Sequence, residues 1–158
     1  MFRRFLIISG ITLALSACAT KPSPVPVAQT IAAMPELSTL NSLINKAGLQ
    51  ATLDDAGAFT VFAPNNEAFK AVSQKTLDEL AASPALLKDV LTFHVLASKV
   101  TAAEAKTGNV KTVQGAYIAV AKAGAFVTVE DAMVQTADIM ATNGVVHVVD
   151  RVLMPPKR

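Results

Sequence analysis

ATNGVVHVVDRVLMPP, residues 141–156, is the stretch on which the fold turns. Asn143-Gly144 is a strong hairpin signal, because a type I′ turn needs φ > 0 at both central positions and these two residues tolerate it best. Beyond the turn, residues 145–154 put apolar side chains on both sides of an extended chain. Val145, His147, Val149 and Leu153 share one face, and Val146, Val148, Val152 and Met154 share the other. A strand apolar on both faces lies inside its sheet and is covered above and below. Pro155-Pro156 ends it, since proline has no N–H to give to a ladder.

Upstream of this strand the sequence reads as more strands, and before those as helices. Residues 133–137 form a strand followed by Asp138-Ile139-Met140. Residues 117–121 and 126–129 flank a hairpin loop containing Gly124, and residues 110–113 lead into a turn at Gln114-Gly115. Thr101 and Glu104 have capping-box spacing and predict a helix ending by Gly108. Ser83-Pro84 opens another, with Leu87, Val90, Leu91 and His94 on one face. A second capping box is read at Thr76–Glu79. Asn65 or Asn66 caps a helical turn after a buried strand over residues 59–63. Ser38 caps a helix that carries Leu40, Leu43, Ile44 and Ala47 on one side and stops at Gly48. A short helix over residues 30–34 is stopped by Pro35. Helices first and strands afterwards, without βα alternation, give an α+β fold with a mostly antiparallel sheet.

The N-terminus carries an address. Residues 1–4 are positive and residues 5–15 are an apolar run too short to span a bilayer, which takes about 20 residues. Leu15-Ser16-Ala17-Cys18 then resembles the lipobox of bacterial lipoproteins, and Cys18 is the only cysteine in the chain. The resemblance implies cleavage before Cys18 and acylation of its sulfur and its new amine. With Ala19 rather than aspartate after the anchor, it also implies the outer membrane, with the domain facing either the periplasm or the surface. The organisation that follows is a signal peptide over residues 1–17, a tether over 18–27 that holds Pro22, Pro24 and Pro26, and a folded domain over 28–156.

The full chain has 14 Lys+Arg and 12 Asp+Glu. Loss of Arg3 and Arg4 with the signal leaves 12 of each, so no basic excess remains for a phosphate backbone and nucleic acid is not an expected partner.

Three segments in order, TVFAPNNEAFK (60–70), LTFHVL (91–96) and ATNGVVHVVDRVLMPP, resemble the fasciclin domain, with KTVQG (111–115) where that family has its threonine and glycine. The resemblance covers essentially the whole mature chain. It implies a wedge-shaped β-sandwich with N-terminal and inserted helices, and a non-catalytic role in adhesion or matrix interaction. Phe93-His94 stands where the family usually has Tyr-His. Asp138-Ile139 matches a pair through which animal matrix members bind integrins, but Thr136-Ala137 replaces the Glu-Pro that can precede it.

The side chains support a binding module over an enzyme. His94 and His147 are the only histidines, and no Cys or carboxylate cluster stands beside them as a metal set. Both read as histidines at the edge of the core whose nitrogens bond neighbouring polar groups. His147 and Asp150 fall on opposite faces of one strand and make no acid/base pair, and Asp150-Arg151 reads as a link from strand end to helix. No nucleophile elbow, phosphate loop or His-Glu-x-x-His is present, and no cofactor is expected. Asp54-Asp55 and Glu130-Asp131 read as solvated turn pairs. Asp138-Ile139 is either a partner contact or a structural pair, with the aspartate in a turn and the isoleucine in the core.

The expected function is a lipid-anchored envelope module that binds an envelope or matrix protein or polysaccharide. Against it stand a structural or stress-related lipoprotein facing the periplasm, and a hydrolase or metal protein built on His94 or His147.

Overall fold

A computed structural model describes residues 25–155. Six helices come first: α1 (Val27–Ala32), α2 (Ser38–Ala47), α3 (Gln50–Asp54), α4 (Asn66–Ala71), α5 (Gln74–Ala82) and α6 (Pro84–Phe93). They are interrupted by strand β1 (Phe59–Pro64) and followed by β2 (Val95–Leu96), β3 (Gly108–Lys111), β4 (Tyr117–Ala123), β5 (Phe126–Val129), β6 (Ala132–Ala141) and β7 (Gly144–Val149). The strands form one sheet in the order β2-β1-β7-β6-β5-β4-β3. All neighbours are antiparallel except β1 and β7, which run parallel from Phe59↔Gly144 to Pro64↔Val149.

The sheet curls until its ends meet. An antiparallel bridge joins Leu96 to Thr112, and the Val113 amide donates to the Val95 carbonyl at 2.8 Å. The two halves of the sheet therefore face each other as a sandwich. Phe62 and Val149 from one half pack with Ile118, Val120, Val127 and Val129 from the other. A second core lies on the outer side of β1 and β7, where Val61, Ala63, Val146 and Val148 meet Leu40, Ile44, Leu87 and Leu91 of the helices.

Strand β7 is interior, and all six of its residues are buried. Its alternation divides the two cores, with Val149 on the sandwich side and Val146 and Val148 on the helix side. The strand stops at Val149, however, not at the prolines. Asp150 turns out of the β1 ladder and closes a ring with β6: its carboxylate accepts from Met133 N at 2.8 Å and its amide donates to Met133 O at 3.2 Å. The link read from Asp150 to a helix is thus a link to a strand.

The Asn143-Gly144 turn differs from its sequence reading. Register Ala141↔Gly144 makes Thr142-Asn143 the two loop residues, and neither Asn143 nor Gly144 has positive φ. Gly144 is required by proximity. A Cβ there would collide with the Phe59 carbonyl oxygen and sit 3.0 Å from both Phe59 C and Val27 Cγ2. Asn143 acts through its side chain: Oδ1 accepts from Val27 N at 2.8 Å, while Nδ2 donates to the carbonyls of Leu53 (2.7 Å) and Asp55 (2.9 Å). One amide thus pins α1 and the end of α3 to the β6–β7 turn. Asn143→Ala is expected to cost about 2 kcal/mol in urea unfolding, since it orphans half-buried backbone groups. A loss under about 0.5 kcal/mol would show that water replaces all three bonds.

The same turn moves the domain boundary. Val27, assigned by sequence to the tether, is fully buried, and the Val25 carbonyl accepts from Thr142 N at 3.0 Å. The first helix accordingly begins at Val27, not at residue 30. The signal peptide, Cys18 and the rest of the tether lie outside the described residues.

Caps explain the other shifts. Ser38 is the first residue of α2 rather than its cap. Asn66, at the start of α4, caps α2 across space by accepting from Thr39 N at 3.1 Å, while Asn65 caps α4 from Ala68 N at 2.8 Å. Ser73 caps α5, so the box read at Thr76 lies inside a helix that begins at Gln74. At Thr101 the reciprocal bonds do form: Glu104 N donates to Thr101 Oγ1 at 3.3 Å and Thr101 N to Glu104 Oε2 at 3.3 Å, with the Thr101 hydroxyl also donating to Oε2 at 2.9 Å. That Thr101 hydroxyl, with the amide, holds the Glu104 carboxyl below its ordinary pKa. Yet only a turn follows, and the chain enters β3 at Gly108. Capping satisfies the first turn without supplying an apolar face to carry a helix onward.

Candidate functional site

His94 closes α6 and is buried where helix, sandwich core and C-terminal segment meet. Its Nδ1 donates to the Val90 carbonyl at 2.8 Å, one turn back, and its Nε2 accepts from Leu153 N at 2.9 Å. Both nitrogens are therefore used, which fixes the tautomer. Burial pushes its pKa down to about 4, against the smaller opposing pull of the Val90 carbonyl. The ring is neutral and has no lone pair free for a metal or a proton transfer.

His147 sits on the sandwich side of β7, stacked on Phe62 with ring centroids 5.5 Å apart and planes at 25°. Its Nε2 donates to Val100 O at 2.8 Å and its Nδ1 accepts from Asp138 N at 3.2 Å. The two histidines occupy separate places in the fold. Among the described residues no three His, Cys, Asp or Glu side chains gather as a metal set.

Asp138 stands at a register shift in β6 with φ = 58°. Its carboxylate accepts from Ala102 N at 2.8 Å, which fastens the 101–104 turn, and its amide is the one held by His147. Aspartate tolerates the left-handed region through its short polar side chain. Ile139 is half-buried against the helix-side core. Both residues thus make contacts within the domain, and Asp138 remains exposed.

A concavity outside the helical layer carries none of these residues. It is an open groove of about 490 Å³ at the mouth of the sandwich, between the start of β4, the β5–β6 turn and the segment after β7. Phe93, Ala132 and Leu153 floor it, and Tyr117, Glu130 and Arg151 stand along its rim. Sequence reading took Tyr117 only as the start of a strand and Arg151 only as part of a link at a strand end, and assigned neither to a site. They are 34 positions apart by number, and only the closed sheet brings them to one place. The signal that could have flagged Tyr117 is its uniqueness as the single tyrosine in a chain with no tryptophan.

Residues 35–155 match the fasciclin domain. The chain belongs to the fasciclin domain family. It is 36% identical over 140 residues to the protein sll1483 of Synechocystis, covering 87% of this chain and 78% of that one. It is 37% identical to the immunogenic protein MPB70 of Mycobacterium bovis, covering 83% and 69%. The cell surface glycolipoprotein MPB83 of the same species is 36% identical, over 83% of this chain and 61% of the relative. Among solved structures, the domain pair from the insect cell adhesion molecule Fasciclin I superposes with a TM-score of 0.66 at 17% identity, covering 83% of this chain and 51% of that one. This fasciclin domain therefore has the α+β fold that the sequence resemblance implies.

Proposed function

We propose that this fasciclin domain is a non-catalytic binding module, held at a bacterial envelope membrane through Cys18 and contacting an envelope or matrix protein or polysaccharide. The observation that carries the reading is membership of a family of extracellular adhesion domains over residues 35–155. The names of relatives support it, one being a cell surface glycolipoprotein and another a cell adhesion molecule. The sequence adds a single cysteine placed as a lipobox requires. Two or more acyl chains give the stable attachment that one chain does not.

Cys18→Ser is expected to abolish incorporation of labelled palmitate and to move the chain from the membrane fraction to the soluble fraction. A membrane-bound, unlabelled Cys18→Ser chain would refute the anchor. Protease shaving of intact cells then assigns the facing. Cleavage of the intact-cell chain fits the adhesive role, whereas protection until the outer membrane is opened favours the periplasm-facing structural role.

A further inference from the structure

The mouth groove has a floor and a rim of different chemistry. Phe93 and Leu153 are buried in its floor, and the His94 bond to Leu153 N fixes the height of that floor. Tyr117 rises from the rim with 63% of its surface exposed, although a tyrosine ring more often spends its apolar area against neighbours. Arg151 is exposed and takes part in no ion pair among the described residues. Glu130 sits opposite at φ = 52°, a conformation that favours glycine or asparagine, in the two-residue turn between Val129 and Ala132. One Glu130 oxygen accepts from Ala119 N at 2.6 Å, so the carboxylate is oriented with its other oxygen available.

The other large concavity, about 620 Å³ beside α4, lacks these features. Its charges Lys70 and Glu67 pair with each other at 2.6 Å, and its phenylalanine, Phe69, is buried.

An exposed aromatic face, a guanidinium in no ion pair among the described residues and an oriented carboxylate around an apolar floor suit a ligand with an apolar face and a hydroxylated edge. We propose that this groove binds a short stretch of saccharide, with one ring lying on Tyr117 and its hydroxyls bonded by Arg151 and Glu130. Charges of both signs on the rim match neutral hydroxyls, which donate and accept, better than they match a polyanion. A volume near 490 Å³ is that of a small-ligand site, holding a few sugar rings and not a protein surface. The inference rests on the binding-module reading and gives it a ligand class.

The protein carries its own probe, because Tyr117 is the single tyrosine and no tryptophan masks it. Full-length chain in detergent is titrated with chitotetraose, cellotetraose and mannotetraose, following tyrosine emission and calorimetric heat. At least one sugar is expected to change the emission saturably. Tyr117→Ala and Arg151→Ala are each expected to weaken the calorimetric affinity roughly tenfold. Tyr117→Phe, which keeps the ring, should retain most of it, and Phe126→Ala, an exposed aromatic outside the groove, should change nothing. Thermal melts of each variant verify folding. No saturable response to any of the three sugars overturns the proposal, as does unchanged affinity in Tyr117→Ala. In the Cys18→Ser background, where no lipid anchor can carry the chain down, co-sedimentation with isolated envelope polysaccharide that survives Tyr117→Ala leaves the binding-module reading standing and discards the groove.

Discussion

Gly144→Ala is expected to destabilise the domain by about 3–5 kcal/mol, a large part of the roughly 5–15 kcal/mol that holds a typical domain together. The added methyl would overlap the Phe59 carbonyl oxygen, and its other neighbours, Phe59 C and Val27 Cγ2, already stand at 3.0 Å. None of these can retreat cheaply. Phe59 is held in the parallel β1–β7 register and its amide donates to Asn143 O at 3.1 Å. Val27 is held by the Asn143 side chain and is fully buried. Relief would require prising apart the one parallel pair of the sheet. Gly124→Ala is the control. Nothing lies within 4 Å of a Cβ there, and its φ of +63° imposes only the conformational cost of about 1 kcal/mol. Urea unfolding of both variants separates contact from conformation. Equal losses of about 1 kcal/mol would show that the strands part easily at Gly144.

That glycine shows where sequence reading reached and where it stopped. The Asn-Gly pair correctly marked a hairpin, but local rules offered only a φ-based reason, and the operative reason is a strand 85 positions earlier in the chain. Alternation along residues 145–149 was legible because period-two patterning is a local consequence of extended backbone. It fixed the interior place of β7 and the sides of Val146, Val148 and Val149. The parallel partner was not legible, since nothing in TVFAP specifies direction. Asn65, Ser83 and Gly48 were legible as caps because their partners lie within one turn. Asn66 was not fully legible, because the helix it caps besides its own neighbourhood begins 28 positions away. Thr101 and Glu104 misled because a satisfied cap is a local event, whereas helix length depends on an apolar face that residues 105–108 lack. The rim of the mouth groove was least legible, since its members come from three separate strands and turns.

His94 provides the second large effect, and its sign can be worked out. The folded ring has a pKa near 4, whereas an unfolded histidine titrates near 6.5. Between those values the unfolded chain binds a proton that the folded chain excludes, so stability rises with pH across this window. It should be flat above about pH 7, fall by about 2 kcal/mol on reaching pH 5 and by about 3 kcal/mol near pH 4, where the folded ring at last takes its proton. Protonation also turns Nε2 into a donor facing the Leu153 N–H, which removes the bond that holds the C-terminal segment to α6. His94→Leu keeps the apolar volume and abolishes this titration. It should cost about 2–4 kcal/mol at pH 7.5, because the Val90 carbonyl and the Leu153 amide lose a buried partner. Its stability should then change less than the native chain's from pH 7.5 to 5. The two pH–stability curves, measured by urea unfolding, must converge as pH falls. Parallel curves would mean that the His94 proton is not linked to folding, whatever the offset between them.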